Sequence, residues 1–270
     1  MPTSRGPTAP EPPVWFLSHG APTALYERDG VAGFWASLPG RLVAPPRALL
    51  CVSAHWCTAH PAIAGAGARP GVLHDFAGFA PALYEEDWAA GGDDACLEAL
   101  AQALAAAGIP YERVPHRPYD HGVWVPLKAA WLEPPMPVLQ LSVCPPRDGA
   151  FHLALGRALR PLRGAGWLLV ASGGIVHNLA ALRWDAPEAA PEPWAEAFVH
   201  AVEAALAAGD LEALAEPRAL PGGRRAHPSV EHYLPLLVAA GAAGGPMAAL
   251  YRGWRHGSLA LHAYGTDAVR

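Results

Sequence analysis

Trp167-Leu168-Leu169-Val170-Ala171-Ser172-Gly173-Gly174-Ile175-Val176-His177-Asn178-Leu179 is the stretch whose reading decides the fold. A continuous apolar run closed by Gly-Gly reads as a fully buried strand that ends abruptly. The two glycines permit positive φ and close backbone approach, and His177 follows three residues later. A strand that opens into a glycine turn carrying one imidazole is how an α/β sheet presents a reactive group at its carboxyl edge. Taken alone, His177 reads equally well as a buried loop histidine satisfied by a carbonyl.

Other strand ends repeat the pattern. Val14-Trp15-Phe16-Leu17 runs into Ser18-His19-Gly20-Ala21-Pro22, and Ala48 to Ser53 runs into Ala54-His55-Trp56. Further strands are expected over Pro61–Ala68, Pro110–Val114 and Pro137–Val143, with closing strands over Met247–Tyr251 and Ser258–Tyr264. Helices are expected over Gly30–Leu38, Ala95–Ala107 behind a cap at Asp93 or Asp94, and Ala150–Leu162 behind Asp148. Others run from Asp120-His121 through Trp131 and over Trp194–Ala208 with Gly209 as stop, and Asp210 caps a short helix. Ser229 reads as the N-cap of a late helix with His232 at its third position. Strand and helix patterns alternate, and no interior linker exceeds a few residues. The sequence therefore predicts one α/β domain over 14–270, with a mixed, mostly parallel central sheet flanked by helices and the site at the strand C-termini.

Bulk properties narrow the function. Of 270 residues, 52% are hydrophobic and 16% charged, enough for a large core, and the net charge of −5 comes with no Lys/Arg stripe. Nucleic acid is an unsuitable partner for such a surface. No apolar span approaches the ~20 residues needed to cross a bilayer, so no membrane partner is expected. Residues 1–13 predict a disordered start rather than a signal peptide. The four cysteines, Cys51, Cys57, Cys96 and Cys144, form no Cys-x-x-Cys spacing. A reduced, cytoplasmic protein is the expectation, with oligomeric state left open.

The chain holds 13 histidines. Parallel strands bring their C-terminal ends to one edge, so the loops bearing His19, His55 and His177 should converge, joined by His232. Imidazole nitrogens suit zinc, iron, copper or nickel, although long-range spacing of this kind carries no local metal motif and unrelated core histidines would look the same.

Six ordered motifs resolve this. Ser18-His19-Gly20-Ala21-Pro22, Ser53-Ala54-His55-Trp56, His74-Asp75-Phe76-Ala77-Gly78-Phe79, Asp120-His121-Gly122-Val123-Trp124, Ser172 to Leu179, and His227-Pro228-Ser229-Val230-Glu231-His232-Tyr233-Leu234-Pro235-Leu236 span nearly the whole chain. Together they resemble the class III extradiol ring-cleavage dioxygenases of the LigB type, in the DOPA-4,5-dioxygenase-like branch. The resemblance implies a non-haem metal enzyme that opens a catecholic ring with O2. It implies His19, His55 and His232 as metal ligands, with the adjacent Glu231 as a carboxylate alternative. His177 is implied as acid/base or fourth ligand, and His121 as a second active-site histidine. Fe(II) is the expected metal, and Zn(II) is compatible with the same donors.

Asp75 and Asp120 are candidates to hold imidazoles, or else simply to cap turns. Phe76, Phe79, Trp124 and Tyr233 are expected to wall the pocket, and His74 and His227 to meet a substrate carboxylate. His60, His116, His152, His200, His256 and His262 read as surface or structural. The loop from Phe79 to Gly92 departs from the family pattern, which bears on substrate identity more than on the metal. Two rival readings are a zinc-dependent hydrolase and a non-catalytic metal-binding relative of the fold; the presence of both His121 and His177 speaks against the second.

Overall fold

A computed structural model describes residues 10–65, 67 and 69–267. Of the expected N-terminal lead-in, residues 1–9 lie outside that range. Residues 10–13 are irregular, with the Pro12 carbonyl accepting a hydrogen bond from Arg163 Nε at 2.7 Å. Ala66 and Ala68 of the expected strand over 61–68, and residues 268–270, also lie outside it.

The strands are β1 Val14–Ser18, β2 Ala48–Cys57, β3 Ala62–Ala64, β4 Glu112–Arg113, β5 Val138–Val143, β6 Trp167–Gly173, β7 Ala248–Tyr251, β8 Trp254–Arg255, β9 Leu259–Ala260 and β10 Ala263–Gly265. The helices are α1 Val31–Ser37, α2 Asp94–Ala106, α3 His121–Ala130, α4 Gly149–Gly164, α5 Pro193–Ala208, α6 Leu211–Ala215, α7 Gly223–Ala226 and α8 Leu234–Ala243. Eight strands form one sheet in the order β4-β3-β5-β2-β6-β1-β10-β7, while β8 and β9 make a separate hairpin. The central run β5-β2-β6-β1 is parallel, and β3, β10 and β7 add antiparallel pairings at the flanks. The chain is thus a single α/β domain with a mixed, mostly parallel sheet.

Burial on both faces explains the uninterrupted apolar runs. In β6, Leu169 and Ala171 join the core on the side of α2, α4 and α8, while Leu168 and Val170 join the core on the side of α1 and α3. β2 divides the same way, Leu50 and Val52 against Leu49 and Cys51. β1, β2 and β6 serve two layers, so alternation disappears from their sequence, whereas β5 keeps it, with Gln140 and Ser142 set between Leu139, Leu141 and Val143. The expected caps at Asp93, Asp148, Asp120 and Asp210 each accept a hydrogen bond from the backbone N–H three residues on. Gly209 closes α5 with φ 67° in the left-handed region.

The late helix departs from expectation. α8 begins at Leu234, with Pro235 in its first turn, and the Ser229 hydroxyl donates to Glu231 Oε1 at 2.8 Å instead of capping a helix. His232 therefore sits in a tight turn ahead of the helix. All ten residues of α8 are buried. It lies so close to α4 that a Cβ on Gly156 would stand 2.1 Å from the Val238 carbonyl oxygen, which anchors the turn bearing His232 to the core. Among the described residues no helix is long and apolar enough to cross a membrane.

Candidate active site

Three elements bring one imidazole each to the carboxyl edge of the sheet. His19 directly follows β1, its backbone N–H donating to the Gly173 carbonyl at 3.0 Å. His55 lies where β2 slips against β5: the register breaks between Ser53 and Cys57, and such an irregularity re-aims a side chain that a regular strand would point elsewhere. His232 is drawn onto the end of β6, where the Gly174 N–H donates to its carbonyl at 2.9 Å. A Cβ on Gly173 would stand 2.2 Å from that same oxygen. The Gly-Gly pair is thus needed for close approach, and neither glycine has the positive φ that the sequence allowed.

The Nε2 atoms of His19 and His55 are 3.0 Å apart, and those of His232 and His55 3.2 Å apart. Their tautomers follow from the partners of the opposite nitrogens. The Ser172 hydroxyl donates to the Gly122 carbonyl, so its oxygen accepts from His19 Nδ1–H at 2.9 Å. His55 Nδ1 faces Asp75 Oδ2 at 3.4 Å, and His232 Nδ1 faces Glu231 Oε1 at 3.4 Å. Each carboxylate accepts and cannot donate, so both Nδ1 atoms carry hydrogen. All three Nε2 lone pairs therefore face one another, an arrangement that repels unless a cation lies among them. Their spacing suits donors around one ion with metal–nitrogen bonds of about 2.1 Å. The residues fit a metal.

The His19 tautomer traces back to a proline. Pro126 lies inside α3 and has no N–H to give the Gly122 carbonyl one turn earlier. That carbonyl instead takes the Ser172 hydroxyl proton, which turns the Ser172 oxygen into an acceptor for His19. A defect in one helix thus fixes the protonation pattern of a residue on another element.

His121 opens α3 beside this centre. Its Nδ1–H and its backbone N–H both donate to Asp75 Oδ1, at 2.9 and 3.0 Å, so Nε2 is left as an acceptor. Burial pushes the Asp75 carboxyl up, but the hydrogen bonds and charge of His121 and His55 outweigh it and hold the group below its ordinary value. Asp120 both caps α3 and accepts from the Ser53 hydroxyl at 2.6 Å, while Ser53 Oγ accepts the His55 backbone N–H at 3.2 Å. Asp120 is fully buried and pairs with Arg117 at 2.9 Å; Arg117 in turn lies over the Trp56 ring at 4.5 Å. Asp75 therefore holds two imidazoles directly, whereas Asp120 acts on His55 through Ser53.

His177 lies on His232, ring centroids 3.4 Å apart. Its donor atoms group with those of Glu231 and His232, whereas His19, His55 and His232 form a separate cluster. Burial, and then the neighbouring His232, hold the His177 imidazole down at about 3, so it is neutral near pH 7. Burial and the surrounding imidazoles likewise keep His19 and His55 neutral. Hydrogen bonding from His232, despite burial, lowers Glu231 to about 2.

A cavity of about 230 Å³ opens over these rings. His19, His55, His121, His177 and His232 line it, as do Phe76 and Phe79 of the aromatic loop. Four expected pocket residues do not. Trp124, within α3, is fully buried, its Nε1–H donating to the Leu73 carbonyl at 3.3 Å. His74 Nε2 donates to the Glu86 carbonyl at 3.0 Å and braces the loop from behind. His227, fully buried, donates from Nε2 to the Ile175 carbonyl at 2.9 Å, and Tyr233 is sealed in the core with its hydroxyl on the Leu214 carbonyl. Neither His74 nor His227 lines the cavity. The cavity is also lined by Leu179, Leu182, Trp184, Leu259 and Leu261, which the sequence does not single out as pocket residues, and by His256, expected to be surface or structural.

Known proteins resemble this chain over nearly its whole length. The family model described as the catalytic LigB subunit of aromatic ring-opening dioxygenase matches residues 12–265. The 4,5-DOPA dioxygenase extradiol of Escherichia coli K12 is 35% identical over 254 residues, covering 92% of each chain. The protein of the same name from Portulaca grandiflora is 37% identical over 259 residues, covering 93% of this chain and 94% of its own. The crystal structure of an uncharacterized protein from Escherichia coli K12 superposes with a TM-score of 0.76 at 31% identity, over 94% of this chain and 98% of that one.

Proposed function

Since the chain belongs to the family of catalytic LigB subunits of aromatic ring-opening dioxygenases, we propose that this extradiol dioxygenase opens catechols at an Fe(II) centre held by His19, His55 and His232. The observation that carries the reading is the meeting of three Nε2 lone pairs under an aromatic-walled cavity. Bound Fe(II) would supply the redox chemistry that joins O2 to the ring and would lower the pKa of the catechol hydroxyls.

The chain's own groups handle protons and position. His177 is neutral, and among the described residues no side chain or carbonyl hydrogen-bonds its ring. It is free to take a proton from a catechol hydroxyl at a ring nitrogen and return it to oxygen as the ring opens. Stacking on His232 sets its plane without occupying either nitrogen. His121, fixed by Asp75 through Nδ1–H, presents Nε2 to the second hydroxyl and orients the ring. Phe76 and Phe79 cover the aromatic face and exclude water. Glu231, kept ionised at His232 Nδ1, supports a ligand rather than serving as one. The names of the relatives make 3,4-dihydroxyphenylalanine a first substrate to try. Four free thiols suit a cytoplasmic protein.

The test is anaerobic loading with Fe(II), followed by oxygen uptake and ultraviolet-visible spectra with DOPA, protocatechuate and caffeate. Oxygen consumption with a yellow ring-opened product is expected for at least one. No uptake with any of them would overturn the reading. Loading must exclude zinc, which binds nitrogen sites more tightly than Fe(II).

A further inference from the structure

His256 lines the same cavity as the metal-facing rings and has no part in the chemistry above. It occupies the first position of the three-residue turn between β8 and β9, followed by Gly257. Its φ of 53° makes it the one non-glycine residue with positive φ among the described residues. A hairpin turn explains that conformation but not the choice of histidine, since asparagine, aspartate or glycine fits such a turn with less bulk.

The imidazole is clamped from the neighbouring loop. The His256 backbone N–H donates to the Pro187 carbonyl at 2.8 Å, and its own carbonyl accepts from the Arg183 N–H at 2.9 Å. Nδ1 faces the Arg183 carbonyl at 3.2 Å. A carbonyl only accepts, so the hydrogen resides on Nδ1 and Nε2 keeps a lone pair. The ring also packs against Trp184 at 5.1 Å, and Trp184 is 63% exposed at the rim. An exposed tryptophan beside a fixed acceptor is an uncommon surface, and Phe76 and Phe79 face the same space.

Indole and phenyl faces carry negative potential, and a lone pair accepts hydrogen. Both favour an ammonium and disfavour a carboxylate. Two arginines flank this turn: Arg183 packs its Cδ 3.2 Å from where a Gly257 Cβ would sit, Arg255 pairs with Glu27 and Glu188, and neither lines the cavity.

We propose that His256 and Trp184 are the specificity-determining residues of this chain and select catechols whose ring substituent ends in a protonated amine. The inference rests on the ring-opening reading and deepens it. The amine is recognised whether or not a carboxylate accompanies it.

The experiment uses the Fe(II)-loaded enzyme with four catechols of matched reach: dopamine, DOPA, 4-ethylcatechol and 3-(3,4-dihydroxyphenyl)propionate. Oxygen uptake should give kcat/KM for dopamine about tenfold above 4-ethylcatechol, with the propionate lowest. His256→Gly keeps the left-handed turn unstrained and should bring the dopamine-to-ethylcatechol ratio close to one. His256→Asn, which tolerates the same φ and retains an acceptor oxygen, should restore part of it. Melting curves confirm that both variants fold. A propionate preference, or an unchanged ratio in His256→Gly, overturns the inference while leaving ring opening intact. Failure of all four catechols to consume oxygen instead sinks the ring-opening reading beneath it.

Discussion

His177 lies face to face with His232, their planes 5° from parallel and their centroids 3.4 Å apart. The contact separates two jobs between adjacent rings. His232 turns its Nε2 toward His55, and His177 is held by its face with both nitrogens unengaged. His177→Ala should therefore lower kcat by about 10²-fold or more while the protein still takes up one metal ion per chain. His55→Ala should lose the metal. Metal content by mass spectrometry beside oxygen uptake checks this, and equal metal loss in both variants would make His177 a ligand.

Gly173 and Gly174 are adjacent in sequence but not equivalent. A Cβ at Gly173 would overlap the His232 carbonyl, whereas one at Gly174 would find its nearest neighbour, the Val176 oxygen, at 3.6 Å. Gly173→Ala should destabilise the fold by about 2 kcal/mol or more and weaken metal binding, because the turn bearing His232 must move. Gly174→Ala should cost less than about 1 kcal/mol. Chemical denaturation of the two variants decides it; equal losses would refute the assignment.

Pro126 gives an unusual expectation. Pro126→Ala supplies an N–H to the Gly122 carbonyl and should raise the melting temperature, since proline is disfavoured by about 3 kcal/mol inside a helix. The same change frees the Ser172 hydroxyl to donate to His19 Nδ1, which moves the imidazole hydrogen onto the ligating nitrogen. Metal affinity should fall about tenfold, read by cobalt titration in the absence of substrate. Unchanged affinity would mean that the Ser172 hydroxyl does not set the tautomer.

The response to acid follows from Glu203. Burial would raise its carboxyl, but His262 and Arg252 prevail and lower it from 4.5 to about 2. A carboxyl whose folded value is depressed stabilises the fold fully above its unfolded value and loses that contribution as pH falls. The window is therefore between pH 4.5 and about 2. With screening at this partly exposed group, on the order of 2 kcal/mol should disappear across it. Glu203→Gln should flatten the stability profile in that window; an unaltered slope would refute the assignment.

The fold was legible wherever burial was complete. β1, β2 and β6 are apolar on both faces, so each stands out as a run, and the aspartate caps mark their helices by a local hydrogen bond. The start of α8 was not, because Ser229 is chemically fit to cap but is engaged by Glu231. In the site, the histidines that end strands could be read, since parallel strands share an edge. His227 could not be told from His232 by position or type; only the Ile175 carbonyl and Phe198 around it show it to be sealed in the core. His256 was illegible for the opposite reason. A two-strand hairpin far along the chain brings it over the cavity, and no local pattern encodes that distance.

Asp75 and Glu231 each stand one imidazole away from the ligand nitrogens. The consequence is one of charge balance. Three neutral imidazoles leave both positive charges of a divalent ion uncompensated by its protein donors, whereas a carboxylate ligand would cancel one. A catechol that has given one proton to His177 would bring one negative charge to such an ion, and the Asp75 and Glu231 carboxylates offset the rest from one imidazole further out.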